Sequence, residues 1–134
     1  MQHADDVAQR VIGAAINVHR RFGPGLLENA YTLCTAQELI EGGLFVEIQK
    51  PLPLTYRHLT IDRAYVLDLL VEESVIVEVK CVDAIRDVHV AQLLTYLRLT
   101  RITLGLIINF NVVRLKDGIR RVVNNHRSDD GRPR

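Results

Sequence analysis

Residues 65–80 read YVLDLLVEESVIVEVK. The segments on either side of the polar residues 72–74 are rich in Val, Ile and Leu. Two such segments separated by a short polar turn are typical of a β-hairpin. A three-residue turn at 72–74 would pair Val71 with Val75, and this pairing fixes the register of the whole hairpin.

The predicted register brings charged side chains together. Counting outward from the turn places Asp68 directly opposite Glu78. Because side chains alternate between the two faces of a strand, Glu78 and Lys80 share a face. Like charges directly opposite each other destabilise a sheet. Two opposed carboxylates in an otherwise apolar hairpin therefore predict a bound divalent cation.

Size and composition indicate a single globular domain. The chain has 134 residues, of which 48% are hydrophobic and 25% charged, which is ordinary for a globular protein with one core. No apolar run approaches the ~18 residues of a membrane span. The N-terminal segment MQHADDVAQR is polar and does not resemble a signal peptide. Cys34 and Cys81 form no zinc-type cluster. We therefore expect a cytoplasmic protein with two reduced thiols.

The charge is unevenly distributed along the chain. The formal net charge is only +1, but residues 1–97 carry 8 Lys/Arg and 13 Asp/Glu, a net of −5, and residues 98–134 carry 9 and 3, a net of +6. This division suggests an acidic, cation-binding part beside a surface that contacts phosphates. The alternative is a set of solvated charges without a partner, because +6 is modest for a nucleic-acid binder.

Hydrophobic periodicity and turn residues predict the order of the elements. They comprise helices at 5–22, 26–41 and 87–99, strands at 44–49, 51–56, 64–71, 75–80 and 103–109, and a final hairpin with strands 112–115 and 119–123 around an Asp-Gly turn. This order indicates an α/β fold with a mixed central β-sheet flanked by helices. We expect a single domain over residues 1–123 and a polar C-terminal tail over residues 124–134.

The acidic pair has the chemistry of a hard-cation site. Mg²⁺ or Mn²⁺ is usually held by one or two carboxylates together with waters and substrate phosphate. Asp68 and Glu78 provide the carboxylates, and the backbone carbonyl of Val79 provides a further oxygen. Such a cation polarises a phosphodiester, and Lys80 could stabilise or help to deprotonate the attacking water. The alternative is a solvated strand face with ordinary surface charges.

The chain resembles a known family at this point. Asp68 followed by Glu78-Val79-Lys80 on a hairpin between two helices is similar to the PD-(D/E)XK nuclease superfamily. The segment Gly25-Leu26-Leu27-Glu28-Asn29-Ala30-Tyr31 matches the GxxExxY signature of one group in that superfamily. Gln92 with Tyr96 matches the QxxxY element of its exonuclease-like members. The resemblance covers roughly residues 5–123. It departs from the superfamily pattern at Leu67, where the nominal proline would stand, and at Val66, where a basic residue is common.

The resemblance implies a restriction-endonuclease-like core and a role for each matching residue. Metal ligands would be Asp68, Glu78 and the carbonyl of Val79, and Glu28 would reach the metal directly or through water. Lys80 would be the catalytic lysine. Gln92 and Tyr96 would hold the site or the nucleic acid, and their i,i+4 spacing places them on one helical face.

We therefore expect a metal-dependent nuclease that uses Mg²⁺ or Mn²⁺ and acts on DNA rather than RNA. It would not associate with a membrane. A homodimer with two sites across the substrate is one hypothesis, with strand 103–109 and hairpin 112–123 near the interface. Two alternatives belong to other classes. One is a catalytically weak module that binds nucleic acid or a protein partner in a regulatory role. The other is a structural protein whose acidic cluster is surface charge only.

Overall fold

A mixed five-stranded sheet organises the chain. The computed structural model describes residues 3–126. The elements in chain order are α1 (Ala4–Phe22), α2 (Glu28–Glu41), β1 (Val46–Tyr56), β2 (Leu59–Val71), β3 (Val75–Lys80), α3 (Asp87–Thr100), β4 (Leu104–Asn109), a short 3₁₀ helix (Leu115–Gly118) and β5 (Ile119–Val123). The strands follow the order β1-β2-β3-β4-β5. Only β3 and β4 are parallel, and α3 connects them. The predicted mixed α/β fold is confirmed.

Helix α1 begins and ends at residues that suit those positions. The His3 side chain caps the first turn by accepting a hydrogen bond from the backbone N–H of Asp5. Acidic residues occupy the first turn and basic residues the last, which favours the helix dipole. Gly23 ends the helix with φ 64°, a conformation in which glycine carries no Cβ penalty. The helix therefore stops where the loop toward α2 must turn.

The two faces of the sheet bury separate hydrophobic cores. One core packs α1 and α2 against a face that includes Val77 and Val79. The other packs α3 against a face that includes Ile76 and Ile107. Every residue of β4 is buried between its two neighbours and the helices, and the hypothesis of a dimer interface near this strand stays a prediction.

The predicted strands 44–49 and 51–56 are one continuous strand. β1 runs through Pro51 at the edge of the sheet, where a residue without an N–H donor is tolerated. The pairing with β2 is continuous through Gln49, whose φ is 53°, and its register shifts between Leu52 and Leu54. Strand β2 also begins earlier than predicted, at Leu59, so β1 and β2 form a long hairpin.

The predicted hairpin over residues 112–123 is wrong. Residues Leu115–Gly118 form the 3₁₀ helix, and β5 pairs antiparallel with β4 instead of with residues 112–115. Gly118 lies so close to the backbone that a Cβ there would be 2.1 Å from the carbonyl oxygen of Asn109. This close approach returns the chain to the free edge of β4, where Val122 joins the core beneath α3.

The beginning of the predicted tail packs on the domain. The Asn124 N–H donates to the carbonyl of Thr103 at 2.9 Å. The His126 side chain is buried, where it hydrogen-bonds the Thr103 hydroxyl and the Asp5 carboxylate. The rest of that tail, residues 127–134, lies outside the described residues. None of the three α-helices of the described chain has the length and apolar character needed to cross a membrane.

Candidate active site at the carboxyl end of strand β3

The register of the β2–β3 hairpin confirms the predicted opposition of Asp68 and Glu78. Val71 pairs with Val75 and Leu69 with Val77, so the next position outward sets Asp68 against Glu78. The Asp68 backbone N–H donates to Glu78 Oε2 at 3.0 Å. The Val79 N–H donates to Asp68 Oδ2 at 2.8 Å. Each carboxylate thus accepts a backbone hydrogen bond from the opposite strand.

Burial and mutual repulsion make this acidic pair electrostatically unfavourable. The Glu78 side chain is buried, which raises its pKa to about 8, with the charge of Asp68 as the second cause. Burial also raises the pKa of Asp68, and the charge of Glu28 adds to that increase. Because the site has low polarity, the negatively charged form of each carboxyl is disfavoured. The pair therefore requires a proton or a cation to balance its charge.

Lys80 supplies positive charge at the end of β3. The ammonium lowers the pKa of both Asp68 and Glu78. Within residues 3–126, however, Lys80 forms no ion pair with either carboxylate. The strand is fixed at this point because the Phe110 N–H donates to the Lys80 carbonyl at 2.9 Å. The half-buried side chain is thus free to contact water or a substrate.

Glu28 reaches the same end of the sheet from α2. It is the first residue of that helix, and its Oε2 accepts a hydrogen bond from the Cys81 N–H at 3.1 Å. Its charge raises the pKa of Asp68 and of Glu78. Burial raises the pKa of the Cys81 thiol, and the charge of Glu28 raises it further. Glu28 therefore joins the acidic pair electrostatically from a different element of the fold.

Each defined position of the Gly25–Tyr31 motif has a structural role at the loop before α2 or at the first turn of that helix. Gly25 adopts φ 120°, which strongly favours glycine. The buried Tyr31 hydroxyl accepts a hydrogen bond from the Leu26 N–H at 3.0 Å and donates to the Gly23 carbonyl. The loop before α2 is therefore tied at both ends to one side chain. The tyrosine ring itself stacks on Phe110, with 4.2 Å between ring centroids.

The two residues of the QxxxY element differ in their surroundings. Tyr96 is buried and packs edge-to-face against Tyr65, with 5.4 Å between ring centroids. Burial raises the pKa of Tyr96 to about 12, and the charges of Glu78 and Asp68 add to the increase. Tyr96 thus borders the acidic pair. Gln92 lies one turn earlier on α3 and is exposed, and its role stays a prediction.

Gln49 is a site residue that the sequence did not reveal. Ile48 pairs with Leu69 and Lys50 with Leu67, so Gln49 on β1 lies opposite Asp68 on β2. Its side chain lowers the pKa of the Asp68 carboxyl. Its backbone occupies the left-handed region, with φ 53°, which is unusual for a residue with a side chain and costs roughly 1–3 kcal/mol. The only sequence signal was the nearby Pro51, which indicated an interrupted strand.

The donor set suits a hard cation better than a zinc ion. Within residues 3–126, no group of three or more His, Cys, Asp or Glu side chains has the arrangement of a metal site. The expected convergence of Glu28, Asp68 and Glu78 on one ion is therefore not present as a three-acid cluster. Mg²⁺ and Mn²⁺ need only one or two protein carboxylates, because water and substrate phosphate complete their coordination. Asp68 and Glu78 provide two carboxylates whose negative charge lacks a balancing cation, and they fit that requirement.

Comparison with known proteins identifies the class. A family model of the PD-(D/E)XK nuclease superfamily matches residues 5–122. The chain therefore belongs to the PD-(D/E)XK nuclease superfamily, whose members generally depend on divalent metals. Searches of curated proteins and of solved structures found no match.

Proposed function

We propose that this protein is a metal-dependent nuclease of the GxxExxY group, which hydrolyses phosphodiester bonds in nucleic acid, DNA rather than RNA. Membership of the nuclease superfamily supports the reaction class. The assignment to the GxxExxY group is supported by the roles of Gly25, Glu28 and Tyr31, since each defined position of the signature has a role at the loop before α2 or at the first turn of that helix.

One observation carries the proposal. Glu78 is only 5% exposed and lies against Asp68, with Lys80 as the nearby source of positive charge. A buried pair of carboxylates is costly unless a cation balances it. If the hairpin served only the stability of the fold, an apolar residue in place of Glu78 would make the protein more stable.

The residues have separate roles in the proposed reaction. Asp68 and Glu78 would hold Mg²⁺ or Mn²⁺, with the Val79 carbonyl as a further oxygen ligand and Glu28 acting through water. The bound cation would supply charge stabilisation at the phosphodiester. Lys80, as an ammonium, would orient the attacking water and stabilise the negative charge that develops on the phosphoryl oxygens, and solvent would take the proton of that water. Tyr96 and Gln92 would border the substrate from α3.

A cleavage panel tests this function. Purified protein with Mg²⁺ or Mn²⁺ would be given single-stranded, duplex and branched DNA and RNA of matched sequence. We expect cleavage of at least one DNA substrate and a loss of at least ~100-fold in Lys80→Ala and in Glu78→Gln, as is typical when a group that acts in the transition state is removed. Arg63→Ala and Glu73→Gln are matched controls, because both residues are exposed and distant in register from the acidic pair.

The panel also separates the competing functions. If every substrate stays intact while the protein binds nucleic acid, the catalytically weak binding module replaces the enzyme. If wild-type protein and Lys80→Ala release the same products at the same rate, the assigned site is wrong. The dimer hypothesis needs its own measurement, the molar mass by light scattering with and without duplex DNA.

A further inference from the structure

A second concave surface lies outside the acidic site. It is formed by one face of α1 near its C-terminal end and by the segment that follows β4. The groove has a volume of about 340 Å³, and its lining residues are Ile16, His19, Arg20, Val113, Arg114, Leu115 and Lys116. At ~30 Å³ per molecule, it has room for roughly ten waters. This basic groove can therefore accept a hydrated anionic group.

The charges of the basic groove are uncompensated. No acidic residue lines it, whereas Arg20, Arg114 and Lys116 are exposed cations. In the described part of the chain, none of these three side chains forms an ion pair. This differs from Arg121 and Lys50, each of which is paired with a carboxylate of the same domain. Three unpaired cations around one concavity favour an anionic ligand.

The wall of the basic groove includes a loop that is hydrogen-bonded to α1 and an exposed apolar side chain. His19 is buried, and its Nε2 donates to the Val112 carbonyl at 2.8 Å, which fixes the loop after β4 against α1. Val113 is 89% exposed at the rim. A fixed loop that presents cations beside an exposed apolar side chain suits a polymer that carries phosphates together with apolar sugar surface.

The basic groove follows the carboxyl end of β4 along the chain. Lys80 pairs with Asn109 at the carboxyl ends of the parallel strands β3 and β4. Arg114 follows Asn109 by five residues, so it lies at most about 18 Å from that strand end at ~3.5 Å per residue. A nucleic-acid strand advances about 3.4 Å per nucleotide in a duplex. Arg114 is therefore within about five nucleotide steps of Asn109, the residue that pairs with Lys80.

We propose that the basic groove binds the phosphodiester backbone of the substrate, a few nucleotides away from the bond that is cleaved. This inference rests on the proposed nuclease function and adds where the uncleaved part of the substrate lies. Arg20, Arg114 and Lys116 contact its phosphates. They determine affinity and the minimum length of a good substrate, whereas the acidic pair determines the reaction.

Substrate length gives the sharpest test. The triple variant Arg20→Ala/Arg114→Ala/Lys116→Ala would be compared with the parent on a series of DNA substrates of increasing length. We expect an increase of at least about tenfold in KM on substrates that extend beyond ~5 nucleotides from the cleaved bond, with kcat retained. On shorter substrates we expect equal kcat/KM, which also shows that the variant is folded.

A second triple variant provides the control. Arg21→Ala/Arg57→Ala/Arg63→Ala removes the same number of charges, and Arg21 lies in the same last turn of α1 but packs over Phe22 instead of lining the groove. Binding of long DNA would be measured against salt in a Lys80→Ala background. Removal of the groove cations should reduce the slope of log K against log[salt] by about 2 to 3, since each phosphate contact contributes ~0.7–0.9, and the control should change it by less than 1.

The outcomes distinguish this proposal from the proposed function. Equal behaviour of the groove variant and the control variant on long DNA would overturn the role of the groove and leave the nuclease intact. A parent protein that neither binds nor cleaves any nucleic acid would overturn both. Impaired cleavage of the short substrates by the groove variant would also overturn the groove's role, because the three cations would then act on the reaction itself.

Discussion

Asp68 and Glu78 face each other on neighbouring strands, and each carboxylate accepts a hydrogen bond from the backbone of the strand that carries the other. The side chains thus take the place of backbone carbonyls at the point where the ladder between β2 and β3 ends. Backbone donors hold one oxygen of each group at a fixed position. The pair is therefore oriented by the fold itself and does not depend on a ligand for its arrangement.

Addition of Mg²⁺ or Mn²⁺ should stabilise the protein. A cation that binds the folded state alone raises the free energy of unfolding by about 2.7 kcal/mol at 100 times its dissociation constant. Thermal unfolding with and without each cation measures the effect. Glu78→Gln should abolish it, and Glu73→Gln, an exposed turn substitution, should retain it. A wild-type melting temperature that does not respond to either cation would exclude the metal site.

The stability of the metal-free protein should fall as the pH rises. Burial and the charge of Asp68 raise the pKa of Glu78 from 4.5 to about 8. Between these two values the folded protein holds a proton that the unfolded chain has released, so unfolding becomes easier with each step in pH. The contribution is at most about 1.4 kcal/mol per pH unit.

Urea unfolding in the presence of a chelator, at several values from pH 4.5 to 8, measures this dependence. Glu78→Gln cannot ionise and should flatten the profile, with a residual slope from Asp68, whose pKa is also raised. A profile as steep in Glu78→Gln as in the wild type would show that another group is responsible.

Tyr31→Phe should reduce both stability and activity. The change leaves the Leu26 N–H and the Gly23 carbonyl without their hydroxyl partner, at a cost of roughly 1–3 kcal/mol in the free energy of unfolding. Cleavage should fall as well, because the loop no longer fixes Glu28. Tyr56→Phe, at an exposed position of β1, is the matched control.

A double-mutant cycle separates positioning from general destabilisation. In a Glu28→Ala background, Tyr31→Phe should cause no further loss of activity, since the residue that it positions is absent. Additive losses of activity would mean that Tyr31 acts independently of Glu28.

Substitutions at Gln49 should separate strain from side-chain chemistry. Gln49→Gly removes the side chain and relieves the left-handed conformation at φ 53°, whereas Gln49→Ala removes the side chain and keeps the strain. Both variants should lose the favourable interaction of the Gln49 side chain with Asp68 and bind Mn²⁺ about tenfold more weakly, which corresponds to ~1.4 kcal/mol. Only Gln49→Gly should match or exceed the wild type in unfolding free energy. Equal stability of the two variants would argue against strain at this position.

The acidic hairpin was predictable because its information is local. The three-residue turn and the strand period of two residues suffice to place Asp68 opposite Glu78 and Val77 on the other face, and the structure confirms both. The superfamily was recognisable because Glu78 and Lys80 lie on the second strand of that hairpin at a fixed spacing from Asp68. Short-range geometry thus gave the centre of the site.

The features that the sequence did not predict depend on contacts between distant elements. Strand β5 pairs with the free edge of β4 instead of with residues 112–115, because the close approach of Gly118 to Asn109 redirects the chain. The buried His126 binds Asp5, which lies 121 residues away. The position of Gln49 became visible only once β1 was paired with β2. The periodicity of a single segment does not predict contacts with residues so far away in the sequence.

The separation between the site residues along the chain has a consequence for the order in which the site forms. The contact between Asp68 and Glu78 spans ten residues, and hairpins of this kind close in about 1–10 μs. The contact between Glu28 and Cys81 spans 53 residues, so it must await the docking of α2 onto the sheet, since long loops close later than short ones. We expect the folding chain to assemble the two opposed acids first and to acquire Glu28 only when the domain is nearly complete.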